Sequence, residues 1–498
     1  MKDNKFIRFI TSKYLILTVQ FIATAVFTYF IYTLNILPMK HLLTITIGLA
    51  ALIIIFFIII SSGQRKQKKG LRSKRGIITK IISLLISIVL MIGTAYVIRS
   101  ENFFDTVTEV KAQKYLISVI TLKENETTKL SQLDGAKFGV CYQHDSTTIA
   151  KALSDMEEEI GEQDYSKYDE YSALADALYN GEVDAIVVGQ EYKSMLEVNH
   201  ENFDNETKVI KSYEYDAKLS VTTKKTDVTE KPFSVYVTGI DTYGSVNTVS
   251  RSDVNLIVTV NPTSKQILMT SIPRDCEIEL DKNGKMDKLT HTGIYGTSET
   301  INTIENFLDV EINYYARTNF SGITNIIDAL GGITVDSDYE FETLHGNYQI
   351  EKGPNEMDGD KALCFVRERY SLPNGDFDRG KNQQKVLEAM IDKAMSPKII
   401  TNFNNILSAV EGSFETDMSS KEIKSLINMQ LNDMADWSIY NVQVQGKGYK
   451  TTKTYSMRGT EVYVMKPDEK QVKKIKELID SVEEGKIIKE KDLEGLAD

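Results

Sequence analysis

The chain has 498 residues, 42% of them hydrophobic and 26% charged, with a formal net charge of −12; that is enough for an ordinary buried core and two or three folded units. The charge is unevenly placed: residues 1–99 hold 14 Lys or Arg and a single acid, Asp3, which leaves 44 basic and 69 acidic residues in the remainder, a net of −25. A surface of that sign lacks the basic footprint that supplies most non-specific affinity for duplex nucleic acid, so no nucleic-acid partner is expected.

Three apolar runs occupy about 14–37, 42–60 and 77–98, each long enough to cross a hydrocarbon core of about 30 Å as a helix. A cleaved signal peptide has one short apolar run before a small-residue cleavage site, and three spans do not fit that pattern. Residues 1–100 therefore read as a membrane anchor with three transmembrane helices. The loop SSGQRKQKKGLRSKRGIITK, residues 61–80, has eight Lys or Arg and no acid, which places it and the N-terminus in the cytoplasm and everything after about residue 100 outside. The rival reading of this loop as a nucleic-acid patch is disfavoured by the flanking spans. The expectation is a multi-pass cell-membrane protein with its C-terminal part extracytoplasmic. Cys141, Cys276 and Cys364 are odd in number and widely spaced, which gives neither a disulfide framework nor a zinc pattern. Buried free thiols fit best, and an outer surface without disulfides points to a bacterium with one membrane.

Residues 101–230 read as an extracytoplasmic accessory domain. LDGAKFGVCYQ (133–143) has the pattern of a turn and a strand, DSTTIAKALSDM (145–156) a capped helix, YSALADALYNG (171–181) a helix closed by Gly181, and VDAIVVG (183–189) a buried strand. This alternation predicts a parallel α/β arrangement. The phrase ALADALYNGEVDAIVVG is similar to part of a lobe of a type II periplasmic solute-binding protein, although a packing or spacer role fits equally well. A polar piece, TTKKTDVTEK (222–231), reads as a linker or edge connection, and PFSVYVTG opens a second α/β domain.

Four segments of this second domain carry chemistry. In GIDTYGSVNTVSRSDVNLIVTVNP (239–262), Asp241 follows one strand and Asp253 precedes the next; if the strands are antiparallel neighbours, both acids lie on one sheet edge. Paired carboxylates suit a hard cation such as magnesium, and turn-forming aspartates would leave the same trace. In ILMTSIPRDCEIEL (267–280), Arg274 follows Pro273 at a break between strand-like runs, at a sheet edge or on a solvated loop. NFSGITNIIDALGGITVD (319–336) is a short amphipathic helix closed by Gly331 and Gly332. VRERYSLPNGDFDRGKNQQ (366–384) has three arginines around a Pro-Asn-Gly turn. There Arg367 and Arg369 point the same way if the chain is extended, while Arg379 and Gln383 share a face of a helix starting near Asp378. Guanidinium groups bind phosphate oxygens in a fork and keep their charge, but a converging set repels itself unless an anion sits between its members. Salt bridges to Glu368, Asp376 and Asp378 are the alternative use of these arginines.

Taken together, VYVTGIDT, RSDVNLIVTVNP, SIPRD, KLTHTGIYG, DALGGITVD, MDGDKALCFVRER and GDFDRGKNQQKVL, in this order across about 233–390, resemble the LytR-CpsA-Psr family of cell-surface phosphotransferases. The layout of spans before an extra outer domain is similar to the family's capsule-associated branch. The resemblance implies an α/β/α sandwich with an apolar lipid pocket. It also implies an enzyme that moves a glycopolymer from a polyprenyl pyrophosphate carrier to a peptidoglycan hydroxyl, with capsule-synthesis machinery as a further partner. On matching positions it implies that Asp241 and Asp253 hold Mg2+ and that Arg274, Arg367, Arg369, Arg379 and Gln383 grip the pyrophosphate. Asp376 would orient the arginines. The insertion ETLHGNYQIEKGPNE (342–356) has no counterpart from which to carry a role.

The chemistry agrees, since phosphoryl transfer is driven by positioning and by neutralising charge on oxygen, and no nucleophilic side chain is required. The histidines are His41, His144, His200, His291 and His345, and only His291 lies in a family-like motif, where a structural role is expected. The catalytic domain is assigned to 231–485 and a loose charged tail to 486–498. Two other classes stay open: a membrane-bound regulator of transcription, for which the loop 61–80 is too short to hold a helix-turn-helix unit, and a sensor that binds a solute through residues 101–230.

Overall fold

The apolar runs form helices α1 (Lys13–Leu34), α2 (Met39–Lys68) and α3 (Lys74–Val107). Their membrane-length stretches, Lys13–Leu34, Met39–Gly63 and Lys74–Phe104, have 22, 25 and 31 residues, enough to cross a bilayer at about 1.5 Å per residue. The computed structural model describes residues 12–68, 74–108, 112–142, 146–200, 202–217, 223–240, 245–396, 405–406, 409 and 412–496. Large apolar side chains such as Phe21, Ile47, Ile58, Ile81 and Val89 remain exposed on these helices, an arrangement costly in water and neutral against lipid tails. Leu17, Phe56 and Ile60 pack between the helices, and Ser83 donates to Gln20 Oε1 at 2.5 Å.

The chain divides into two units. The first comprises Met1–Thr108, Met395–Glu411 and Met418–Asp436. The helix Ser420–Asp433 within it, capped by a Ser419/Glu422 box, is tied to α3 by Lys424 Nζ and Glu101 Oε1 at 2.8 Å. The assignment of 231–485 to a single domain is corrected here, because this amphipathic helix groups with the membrane helices and not with the outer sheet.

The second unit contains two large sheets and four two-stranded ones. Strands β1 (Lys114–Leu122), β2 (Lys137–Cys141), β3 (Asp164–Tyr168), β4 (Ala185–Gly189) and β5 (Thr207–Asp216) make a sheet of order β3-β2-β4-β1-β5. Helices α4 (Ser146–Ile160) and α5 (Tyr171–Tyr179) accompany it. The parallel expectation holds for β2, β3 and β4, while β1 and β5 run antiparallel. The difference comes from β1, which precedes the alternating part and inserts between β4 and β5.

The larger sheet joins β6 (Phe233–Gly239), β7 (Val254–Asn261), β8 (Gln266–Ser271), β9 (Tyr314–Thr318), β10 (Phe414–Thr416) and β11 (Ser438–Gln443) in the order β10-β9-β6-β7-β8-β11. Side-chain alternation sends Tyr236, Ile257 and Leu268 to one face, against α6 (Thr297–Leu308) and α10 (Glu469–Glu483). Val235, Val237, Val258 and Met269 face Leu387 and Ile391 of α9 (Asp376–Met395) on the other, which makes the expected α/β/α sandwich. Helices α7 (Phe320–Ala329) and α8 (Gly359–Arg367) pack beside it over Ile327, Ile333 and Phe365. The smaller domain packs on the other through Ile294, Val462 and Val464, which lie outside the larger sheet and cluster with Leu174, Met195 and Leu196. The polar stretch from Thr223 onward is an edge connection: Tyr314 Oη accepts from Thr226 N–H at 3.1 Å and donates to its carbonyl at 3.0 Å.

The expected loose tail is also corrected. Ile488 and Leu496 are buried in the main core and Leu493 packs against it, while Gln443 donates its N–H to the Leu496 carbonyl at 3.1 Å. The charges around these three side chains mask an apolar stripe in the sequence. Leu496→Ala should therefore cost about 2–5 kcal/mol of stability, read as a lower unfolding midpoint of the detergent-solubilised chain; a tail in solvent would leave the midpoint unchanged.

Candidate active site

Strands β6, β8, β9 and β11 end at one edge of the large sheet, where the antiparallel β7 begins, with Gly239 paired opposite Val254. Ligands of open α/β sheets bind outside such an edge. The chain places Ile240 after β6, Asp253 before β7, Arg274 after β8 and Asn319 after β9, so residues far apart in sequence meet there. The two strands bearing the predicted acids are antiparallel neighbours. Asp241 itself lies outside the described residues.

A cavity of about 670 Å³ opens at this edge, and Asp253, Arg274, Arg367, Arg369, Arg379 and Gln383 all line it. Asp376 is not in its wall but stands directly behind: its Oδ1 is 2.6 Å from Arg379 Nη2 and 3.8 Å from Arg274 Nε. On the other side, Asp253 Oδ1 accepts from Arg274 Nη1 at 3.3 Å and from Thr290 Oγ1 at 2.9 Å, and its Oδ2 lies 3.7 Å from Arg251 Nη2. The KLTHTG motif is the clamp of this corner. Thr290 also donates its N–H to the Arg274 carbonyl at 2.9 Å and accepts from Ser252 N–H at 3.0 Å. His291, buried on Asp287 at 2.7 Å, holds the clamp from behind, in the structural role expected of it.

The electrostatics are those of a site crowded with guanidinium groups. Burial disfavours the charged form of Asp253, yet Arg251, Arg274 and Arg379 outweigh it and hold the carboxyl well below the usual carboxylate range. Burial and the like charge of Arg274 push Arg379 below the ordinary arginine value despite Asp376 and Asp253. Arg274 Nε is buried with no hydrogen-bond partner among the described residues. Such a set is completed by an anion. Beside it stands an apolar wall of Phe320, Ile323, Leu363 and Val366 from α7 and α8, with the Arg367 guanidinium 4.3 Å from the Phe320 ring centroid.

Local structure departs from the sequence expectation in three places. Arg367 is the last residue of α8, not part of an extended segment, and α9 begins at Asp376, so the arginines converge from a helix end, a loop and a helix start. Among the described residues Glu368 pairs with no arginine side chain: it accepts the backbone N–H groups of Leu344, Arg369, Tyr370 and Ser371 and so folds the turn. Asp378 likewise accepts from Asn374 N–H at 2.9 Å. The register of α9 is fixed by Gln384, whose amide donates to the Met269 and Val442 carbonyls at 3.0 and 2.9 Å, and by Gly380, where a Cβ would collide with Gln443 Nε2.

Sequence reasoning missed Arg251, two residues before Asp253 and visible in the RSD phrase. It also missed Leu344 and His345 of the insertion, and Glu197 and Asn202, which the smaller domain contributes to the cavity wall. No local pattern marks the last two, because only the packing of Leu196 against Ile294 brings them there.

Fold and site define a membrane-anchored α/β protein whose cavity suits an anion attached to an apolar body. The family model described as "LytR_cpsA_psr family" matches residues 192–479, and the chain belongs to that family. Among curated relatives, the "Polyisoprenyl-teichoic acid--peptidoglycan teichoic acid transferase TagU" of Enterococcus faecalis is 37% identical over 200 residues, covering 40% of this chain and 65% of that protein. The TagU of Bacillus cereus is 33% identical over 221 residues, 44% of this chain and 71% of that protein. The crystal structure of B. subtilis TagV matches with 27% identity and a TM-score of 0.44, covering 52% of this chain and 99% of that one.

The depressed pKa of Asp253 contributes stability that is complete above the unfolded value of about 3.9 and is lost as pH falls toward the lower folded value. Asp253→Asn should cost about 3–5 kcal/mol at pH 7, since it strands buried arginines. It should also flatten the loss of stability below about pH 4, measured by thermal unfolding across pH. An unchanged acid limb would show that Asp253 is not ionised among those arginines.

Proposed function

We propose that this protein is a phosphotransferase that attaches a glycopolymer, a capsular polysaccharide or teichoic-acid-like chain carried on polyprenyl pyrophosphate, to peptidoglycan through a phosphodiester. The observation that carries the reading is the single cavity in which arginines from three segments face a wall of apolar side chains. A lipid-linked diphosphate matches both halves at once, and relatives named as teichoic acid transferases support the choice of polymer class and acceptor. The basic loop 61–80 and the three spans support an outer part tethered to the membrane, and a tethered enzyme meets a lipid carrier at raised effective concentration.

In this reading Arg274, Arg367, Arg369, Arg379 and Gln383 hold the pyrophosphate oxygens, and Asp376 aligns Arg379 and Arg274. The acceptor hydroxyl oxygen forms a bond to the sugar-bearing phosphorus while the bond from that phosphorus to the bridging oxygen breaks. The electron pair leaves with polyprenyl phosphate. The arginines stabilise the negative charge gathered on the oxygens, and the apolar wall keeps the carrier's first isoprene units out of water. The ionised, buried Asp253 fits a magnesium shell completed by substrate oxygens and water. Asp253 and Asp241 would hold that ion, which when bound would supply further neutralisation of the pyrophosphate.

Arg367→Ala and Arg379→Ala should each lower transfer by about 10²–10³-fold, measured as polymer released from a polyprenyl-pyrophosphate-linked donor onto peptidoglycan, with the unfolding midpoint retained. Wild-type attachment in both variants would overturn the assignment.

A further inference from the structure

A second cavity, of about 440 Å³, adjoins the first, and Arg274, Arg369 and Tyr370 line both. Its remaining lining differs from the first. Phe377 and Tyr463 supply aromatic faces, Asn374 a carboxamide, and Asp275 and Asp376 carboxylates. Aromatic faces with a few hydrogen-bonding groups suit the alternating apolar and hydroxyl surfaces of a sugar, whereas the arginines and aliphatic wall of the first cavity suit a lipid diphosphate.

Tyr463 is placed here by construction. It lies on β13 (Val462–Pro467), which pairs with β12 (Gly446–Thr451), and Met465 of β13 donates its N–H to the Asp275 carbonyl at 2.8 Å. Gly448 leaves room for the phenol: a Cβ there would collide with Tyr463 Oη. Burial, and then the nearby Asp275 and Asp376, push the phenol above its ordinary value, which fits a ring lying over the two acids. Tyr463 nevertheless remains 44% exposed, available to a ligand.

We propose that this second cavity is the acceptor subsite, taking the carbohydrate unit whose hydroxyl receives the phosphoryl group. The inference rests on the phosphotransferase reading and adds where the acceptor docks. A diphosphate gripped by Arg274 and Arg369 is held by the side chains that also line the second cavity, so a hydroxyl seated there is next to the phosphorus it must attack, and in-line displacement requires it to stand opposite the departing polyprenyl phosphate. The acceptor O–P bond forms, the bridging P–O bond breaks with its electron pair going to polyprenyl phosphate, and the hydroxyl proton passes to water. Both carboxylates in this wall are ion-paired, Asp275 with Lys288 at 2.7 Å and Asp376 with Arg379 at 2.6 Å.

The test uses the full chain in detergent, a polyprenyl-pyrophosphate-linked disaccharide as donor and a soluble uncrosslinked peptidoglycan oligosaccharide as acceptor. Tyr463→Ala and Asn374→Ala should leave the donor Kd within about twofold of wild type and raise the KM for acceptor at least tenfold. Gly448→Ala, which removes no group from the cavity but drives a methyl into the Tyr463 hydroxyl, should act in the same direction. Tyr463→Phe, which keeps the ring, should recover most of the acceptor affinity. An unchanged acceptor KM in Tyr463→Ala and Asn374→Ala would overturn the subsite, as would donor Kd and acceptor KM weakening in parallel. A wild-type chain that does not bind the donor would instead remove the phosphotransferase reading beneath it.

Discussion

Like charges kept close together are the constraint around which the outer part of this protein is organised. Arg251, Arg274 and Arg379 act on one buried carboxylate, Asp253, and a second, Asp376, bridges two of them from behind. Asp275 also lies 3.9 Å from Arg274 but is shared with Lys288, and Arg367 and Arg369 crowd the same wall. The fold must hold the groups in place against their own repulsion, and it does so with backbone. Arg274 is latched through its carbonyl to Thr290, Arg369 sits on a turn knitted by Glu368, and Arg379 rides a helix pinned to the sheet by Gln384. The remaining electrostatic deficit is what a ligand relieves.

This explains why the site sits at a strand-end edge. The groups come from strand ends, a helix terminus and a helix start, and the sheet is the rigid body common to all of them. Its period-two alternation buries Tyr236 and Leu268 on one face and Val235 and Met269 on the other, so neither face can open without losing core. The edge alone is free to carry polar chemistry.

Much of this was legible in the sequence because the chemistry is local. The acid-arginine phrases RSD and PRD, the pair Arg367 and Arg369, and the helical spacing of Arg379 and Gln383 each identify a group without reference to the fold. What escaped depends on packing across long distances. Glu368 looks like an ion-pair partner and is instead a cap for four N–H groups. Glu197 and Asn202 look like ordinary polar loop residues until Leu196 docks on Ile294. Leu493 and Leu496 lie in a charged stretch whose apolar spacing is too sparse to read, and they still close the main core. β1 shows the same limit: it inserts between β4 and β5 and runs antiparallel to both, and its direction follows from that long-range pairing.

Charge also shapes which ligands reach the site. The part of the chain after residue 99 bears a net −25, so a soluble polyanion meets repulsion over most of the surface before it meets the arginines. Screening at physiological salt confines such fields to about 8 Å, so the local cationic potential governs only the last approach, and an acidic exterior with a cationic pocket beside an apolar wall favours a compact anion over an extended one.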